Sequence, residues 1–286
     1  MKALIVLSGK GGVGKSTIAV GIARSIAQRG VRTGLIDMDI ESPSVPTLTS
    51  TSGDDIKISG RLLEPAITSD NIKVFSIGHL LPSEDTPILW EGEKKENIFN
   101  EIFKSFDFSD IEYLIVDMPP GSGDELYGVR KVLNFVSAVI ITLPQRLSLV
   151  SAKKALNAAK RYDIPVLGII ENMSGFLCPQ CHTVSYIFRQ GAGRILAETN
   201  GVELLGTIPM LDKVCEESDM GSSSILMQNK EFKEIVEKIM KKMGISIKEK
   251  RGSIEVGDRD NSGLFSPTIS SHSSQSHHMS PFNLVK

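Results

Sequence analysis

The chain is expected to fold as an α/β protein, with a mostly parallel central sheet and helices on both faces. Two observations on the 286-residue sequence lead there. Short β-branched runs recur at 3–7, 33–38, 72–77, 113–118, 138–143, 166–172 and 204–209. Stretches with helical spacing separate most of them, at 16–29, 94–106, 147–161 and 192–199. Continuous apolar runs suit strands buried on both faces, and their alternation with helices marks a parallel sheet covered by its own crossovers.

Taken in order, four of the seven runs end on residues that suit the ligand edge of such a sheet. The first passes into a glycine loop, and the second closes on two aspartates. The fourth closes on an aspartate followed by Pro-Pro-Gly, and the sixth on an asparagine ahead of two cysteines. One sheet of this kind absorbs about 240 residues, so 1–244 is read as a single domain. Composition changes after Gly244. Residues 245–286 lack either period and are rich in Ser and His, so they are read as a disordered tail with too little apolar surface to offset ordering. Its histidines are read as part of a solvated linker rather than as a metal site.

Thirty-two basic and 34 acidic residues give a formal charge of −2, which argues against a nucleic-acid partner held by global charge. No run approaches the roughly 20 apolar residues needed to span a bilayer, so no membrane partner is expected. The apolar stretch after Lys2 is too short for a secretory leader and runs straight into the glycine loop. Three cysteines cannot all pair. A cytoplasmic, reducing compartment follows as the expectation, where thiols tend to serve metal or redox chemistry.

The strongest signal is Gly9-Lys10-Gly11-Gly12-Val13-Gly14-Lys15-Ser16-Thr17, between a strand and a helix. This is a phosphate loop, and it makes the fold a P-loop NTPase. Its glycines let backbone N–H groups converge on phosphate oxygens, and the helix N-terminus adds a favourable dipole. Lys15 is expected to reach the β- and γ-phosphates of ATP, Ser16 to ligate Mg²⁺, and Thr17 to contact the α-phosphate. The extra lysine, Lys10, resembles the deviant loop of the ParA/MinD/arsenite-pump/nitrogenase-reductase ATPases. That resemblance implies that Lys10 reaches across a dimer interface to the partner's nucleotide.

Asp37 and Asp39 close the second run at the sheet edge where ligands bind. Strand alternation would put both on one face, within reach of one Mg²⁺ or its waters, and a strand-end turn or cap is the alternative. Asp117, closing the fourth run, has the Walker B arrangement and would hold Mg²⁺ through a water. The Pro119-Pro120-Gly121 turn beyond it suits a switch, and Asp124 is read as a helix cap. Asn172 offers a donor and an acceptor, which suits adenine's edge or an ordinary strand-end turn.

Cys178-Pro179-Gln180-Cys181-His182 follows directly. Four readings compete for it: haem attachment, a thioredoxin-like dithiol, a zinc site completed by Cys215 and His182, and half of a cluster site completed by a second chain. Two such pairs would supply the four thiolates of a [4Fe–4S] cluster, and Lys10 points independently to a dimer. Cys215 has no partner in sequence and is read as an ordinary thiol.

The ordered set GKGGVGKST, DMDIESPSVP, IGHLLP, VDMPPGSGD, TLPQ, GIIENMSGFLCPQC and GTIPM resembles the Mrp/ApbC family of ATP-dependent iron–sulfur cluster carriers. The resemblance covers about residues 1–243. It implies a homodimer or heterodimer that bridges a labile [4Fe–4S] cluster through Cys178 and Cys181 and donates it to apo-proteins. It implies a slow ATPase in which Lys10, Lys15 and Asp39 are catalytic, with Asp39 positioning the attacking water and Asp37 in support. Ser42 and Glu91 depart from the residues usual in that family. The rival reading is a MinD/ParA-like positioning ATPase on a membrane or DNA surface. Phe232, Ile235, Val236, Ile239, Met240 and Met243 form an apolar stripe with lysines opposite, which suits either a membrane surface or packing on the sheet.

Overall fold

The computed structural model describes residues 1–59, 62–81, 100, 102–121, 125–181 and 183–245. The chain divides into two units, Met1–Lys248 and Glu249–Lys286, and the second lies outside the described residues. So do the expectations for Glu91, Asp124, His182 and residues 246–286 of the tail, and most of the helix expected at 94–106.

Among the described residues the strands are β1 (Lys2–Ser8), β2 (Thr33–Asp37), β3 (Lys57–Ser59), β4 (Leu62–Glu64), β5 (Ala66–Ile67), β6 (Lys73–Ser76), β7 (Tyr113–Asp117), β8 (Val136–Thr142), β9 (Val166–Glu171), β10 (Phe176–Leu177), β11 (Val184–Ser185) and β12 (Leu204–Thr207). Eight of them form one sheet in the order β12-β9-β8-β1-β7-β2-β6-β5. Every pairing in it is parallel except β5 with β6. All the apolar runs of the sequence lie in this sheet. The strands missed by sequence, β3, β4, β5, β10 and β11, have two or three residues each, too few to carry a period.

Helices among the described residues include α1 (Lys15–Ala27), α2 (Val45–Thr49), α3 (Glu125–Val132), α4 (Arg146–Arg161), α5 (Ala192–Asn200), α6 (Val214–Asp219), α7 (Ser224–Gln228) and α8 (Lys230–Met243). Alternation along β1 divides the core in two. Ala3, Ile5 and Leu7 face a cluster that includes Leu126, Ala155, Leu156 and Leu196 from α3, α4 and α5. Leu4 and Val6 face the other, with Ile18, Ile22 and Ile26 of α1 and the α8 stripe. Burial on both faces is what the unbroken apolar runs require.

The α8 stripe is thereby settled as core. Phe232, Ile235, Val236, Ile239, Met240 and Met243 are all buried. The Asn229 side chain caps the helix by accepting from the Phe232 N–H at 2.8 Å. An added Cβ at Gly21 would lie 2.8 Å from the Phe232 ring, so α1 and α8 meet at that glycine. No helix among the described residues is long and apolar enough to cross a membrane.

Candidate functional site

Parallel strands deliver their C-terminal ends to one edge, and every chemistry-bearing motif of the sequence arrives there. The phosphate loop leaves β1 at the centre of the sheet and enters α1 through Gly14, whose φ of 81° is left-handed. Behind the loop, Gly9 is pressed on α4: an added Cβ would lie 2.0 Å from the Ser151 carbonyl carbon. In front, Asn172 Nδ2 donates to the Val13 carbonyl at 2.8 Å. Lys10, Gly11 and Gly12 are exposed, whereas Val13 and Lys15 are buried.

Lys15 Nζ lies 2.5 Å from Asp117 Oδ1 and 3.2 Å from Ser16 Oγ. Asp117 is fully buried, and its Oδ2 has no hydrogen-bond partner among the described residues. Burial raises the Asp117 carboxyl above its ordinary range, while Lys15 opposes that shift. An unpartnered buried carboxylate oxygen beside a serine hydroxyl is a donor set suited to Mg²⁺ and its waters.

Asp37 lies opposite Asp117 in the β2–β7 register. The strand ends at Asp37, so the alternation expected to bring Asp37 and Asp39 to one metal does not extend that far. Asp37 is engaged elsewhere. Its Oδ1 accepts the Asp39 N–H at 2.9 Å, and its Oδ2 accepts the Ser44 and Val45 N–H groups at 3.1 Å and the Ser76 hydroxyl at 3.2 Å. Asp37 thus holds the 38–45 loop and the start of α2. Burial, aided by Asp117, pushes it up to about 7 against the lowering effect of those bonds. Asp39 is half-buried, accepts the Ser42 N–H at 3.2 Å, and is raised by burial while Lys15 opposes.

Among the described residues, two clefts open on the loop. One, of about 570 Å³, runs past Ser16, Thr17 and Asn172 to Met173, the 208–211 segment and Cys215. It has apolar walls at the far end and polar groups at the loop, as a nucleotide requires. The other, of about 520 Å³, lies between Gly11, Gly12, residues 38–42 and Pro119–Pro120.

The cysteine pair occupies the tip of the β10–β11 hairpin, immediately beyond β9. Cys178 is half-buried and donates its N–H to the Thr183 carbonyl at 3.1 Å, whereas Cys181 is exposed. Hydrogen bonding to Thr183, with a smaller contribution from Cys178, lowers the Cys181 thiol below its ordinary value. The hairpin base is bonded to the cleft wall: Met210 N–H donates to Gly175 O at 2.7 Å and Ser174 N–H to Ile208 O at 2.9 Å. Among the described residues no three His, Cys, Asp or Glu side chains gather to hold a metal ion. Cys215 is exposed on α6, at the cleft rather than at the hairpin.

Residues 1–244 match the family described as ParA, NUBPL iron-transfer P-loop NTPase. The chain belongs to that family. It is 39% identical over 244 residues to the iron-sulfur cluster carrier protein of Methanocaldococcus jannaschii, covering 84% of each chain. To the iron-sulfur cluster carrier protein of Saccharolobus solfataricus it is 38% identical over 242 residues, 82% of each. Among solved structures, a nucleotide-binding protein from Archaeoglobus fulgidus in complex with ADP is similar at a TM-score of 0.69 and 32% identity, over 81% of this chain and 90% of that one. The cell-division ATPase MinD of Pyrococcus furiosus shares the fold at 0.58 and 18% identity, over 84% and 98%.

Within this P-loop NTPase, Gly9 to Thr17, Asp39, Asp117 and Asn172 converge on one edge, and Cys178 and Cys181 lie on an adjoining hairpin. Sequence reasoning missed one carboxylate there, Glu171. Glu171 is 1% exposed at the end of β9, where Oε1 accepts the Ser174 hydroxyl at 2.6 Å and Oε2 accepts the Gly193 N–H at 2.6 Å. A charged residue closing an otherwise apolar strand was the available signal, because burial obliges it to find donors.

Proposed function

We propose that this protein is an ATP-dependent carrier that binds a labile [4Fe–4S] cluster and donates it to apo-proteins. The observation that carries the reading is the proximity of an exposed Cys-x-x-Cys hairpin to the wall of a nucleotide cleft, through the Gly175–Met210 bond. The relatives named iron-sulfur cluster carrier protein support the cargo, and the ADP-bound neighbour supports the nucleotide.

Residues Gly9 to Gly14 cradle the phosphates with their N–H groups, and Lys15 leaves Asp117 to neutralise the β- and γ-oxygens. Ser16, Asp39 and Asp117 would hold Mg²⁺, which supplies charge neutralisation between the phosphates. Asp39 orients the attacking water, and Asn172 borders the base. A second copy supplies the other two thiolates and its own Lys10, so the working unit is a homodimer with one cluster held by Cys178 and Cys181 of each chain. Carriage needs the cargo to be both held and released, which suits thiolates on a short exposed hairpin rather than in the core.

Anaerobic reconstitution tests this reading. The expected result is absorbance at about 400 nm, with about four iron and four sulfide per dimer. Combined Cys178→Ala and Cys181→Ala substitution should abolish both while leaving ATP binding intact. Lys15→Ala should abolish ATPase while sparing the cluster. Unchanged iron content in the double cysteine variant would remove the carrier reading.

A further inference from the structure

The nucleotide loop and the cysteine hairpin are joined by five consecutive residues, Glu171 to Gly175. Asn172 faces the nucleotide side, with its side chain on the Val13 carbonyl at 2.8 Å and its N–H on Thr142 O at 2.8 Å. An added Cβ at Gly14 would lie 2.4 Å from Asn172 Nδ2, so loop and amide are in direct contact. Ser174 faces the hairpin side, with its hydroxyl on Glu171 Oε1 at 2.6 Å. Between them stands only Met173, at a φ of 55°, in the left-handed region that a long side chain adopts at a cost.

Glu171 fixes this turn from below. Its Oε1 also accepts the Gly191 N–H at 3.2 Å, and its Oε2 accepts the Gly193 N–H at 2.6 Å, both at the start of α5. A Cβ added at Gly193 would lie 2.9 Å from Glu171 Cβ, so the helix is seated against this side chain. A second strut runs in parallel. Ile208 and Met210 line the nucleotide cleft and are bonded to Ser174 and Gly175 by backbone hydrogen bonds of 2.9 and 2.7 Å. A buried carboxylate whose two oxygens both accept hydrogen bonds has one rigid arrangement, which is what a lever needs at its fulcrum.

We infer that Glu171 and Ser174 are positioning residues that couple the state of the phosphate loop to the geometry of the cysteine hairpin. When phosphate draws the loop N–H groups together, the Val13 carbonyl shifts and Asn172 follows. The Ser174–Glu171 bond then passes the displacement to Gly175 and the Cys178–Cys181 tip instead of letting Met173 absorb it. This deepens the carrier reading and rests on it for the meaning of the movement, but not for its detection.

The test uses the full apo chain and peptide-resolved alkylation by iodoacetamide, with and without Mg-ATP. In the unmodified protein Mg-ATP should change the labelling rate of the 178–181 peptide several-fold. Ser174→Ala should lose that response while binding ATP as the unmodified protein does, and Ser174→Thr, which keeps the hydroxyl, should restore it. Glu171→Gln, which turns an amide N–H toward a backbone N–H, should behave as Ser174→Ala. A full nucleotide response in Ser174→Ala, or no response in the unmodified protein, would overturn the inference. Iron takes no part in the readout, so a chain that takes up no iron would refute the carrier reading while the labelling still decides the coupling.

Discussion

Lys15 Nζ rests 2.5 Å from Asp117 Oδ1, and both side chains are almost wholly withdrawn from solvent. The lysine proposed for phosphate is therefore paired with the carboxylate proposed for Mg²⁺, and on that proposal nucleotide entry would exchange one anion for another. Removing the lysine alone leaves a buried carboxylate without its counter-charge, a change that costs about 3–5 kcal/mol in other proteins. Lys15→Ala should thus lower unfolding stability in urea by that order as well as abolish ATPase. Adding Asp117→Asn should recover much of the stability and none of the activity, and strict additivity of the two changes would contradict the pairing.

Gly9 and Gly11 lie in the same loop but have different reasons to be glycine. A Cβ at Gly9 would fall on the Ser151 backbone, whereas at Gly11 it meets nothing within 4 Å. Gly9→Ala should therefore push the loop off α4, with loss of both stability and ATP affinity. Gly11→Ala should leave the melting temperature close to that of the unmodified protein. Thermal unfolding of the two variants side by side checks the contrast.

His79 is 4% exposed, with Nε2 2.9 Å from Thr51 Oγ1. Burial, only partly offset by Asp55, depresses it to about 4, against about 6.5 in an unfolded chain. Between those values the unfolded chain takes up the proton and the folded one does not, so stability rises with pH through that window. The full contribution is present above pH 6.5 and lost as pH falls to 4, a difference of about 3 kcal/mol. Urea denaturation of His79→Gln should show a flatter pH profile over the same range.

Cys181 is exposed and its thiol is lowered chiefly by the Thr183 hydrogen bonds. Thiolate is the reactive form. Thr183→Val should consequently slow iodoacetamide modification of Cys181. An unchanged rate in that variant would remove the assigned role of Thr183.

Phe232 is completely buried between α8 and α1. Phe232→Ala should destabilise the fold by about 3–5 kcal/mol. A membrane-docking helix would behave oppositely, losing vesicle binding with little change in stability, and flotation assays on anionic vesicles separate the two.

The sheet, the phosphate loop and the aspartates closing β2 and β7 were readable because each depends on local pattern: continuous apolar runs, glycine spacing, and a polar residue closing an apolar strand. For Asp37 the sequence left two readings, metal support and a strand-end turn, for a physical reason. Whether an aspartate at a strand end turns toward metal or toward loop N–H groups is decided by where the strand stops, and here it stops at Asp37 itself. The α8 stripe shows the same limit, since periodicity reports an apolar face without saying what covers it. Glu171 escaped notice because its donors come from Ser174, Gly191 and Gly193, and the latter two lie some twenty positions away in sequence.

The Ser174 hydroxyl and the Gly191 N–H meet on the same oxygen of Glu171. The chain between them leaves the sheet and comes back at a single atom, like a loop of thread drawn through one eyelet. The entropy of closing such a loop grows only slowly with its length. The segment between these two points can therefore be lengthened, shortened or replaced by a short glycine bridge with loss of little beyond the Gly175–Met210 bond. In engineering terms it is a cassette: hairpins with metal-binding tips could be grafted at these two points onto a P-loop NTPase body that keeps its own core.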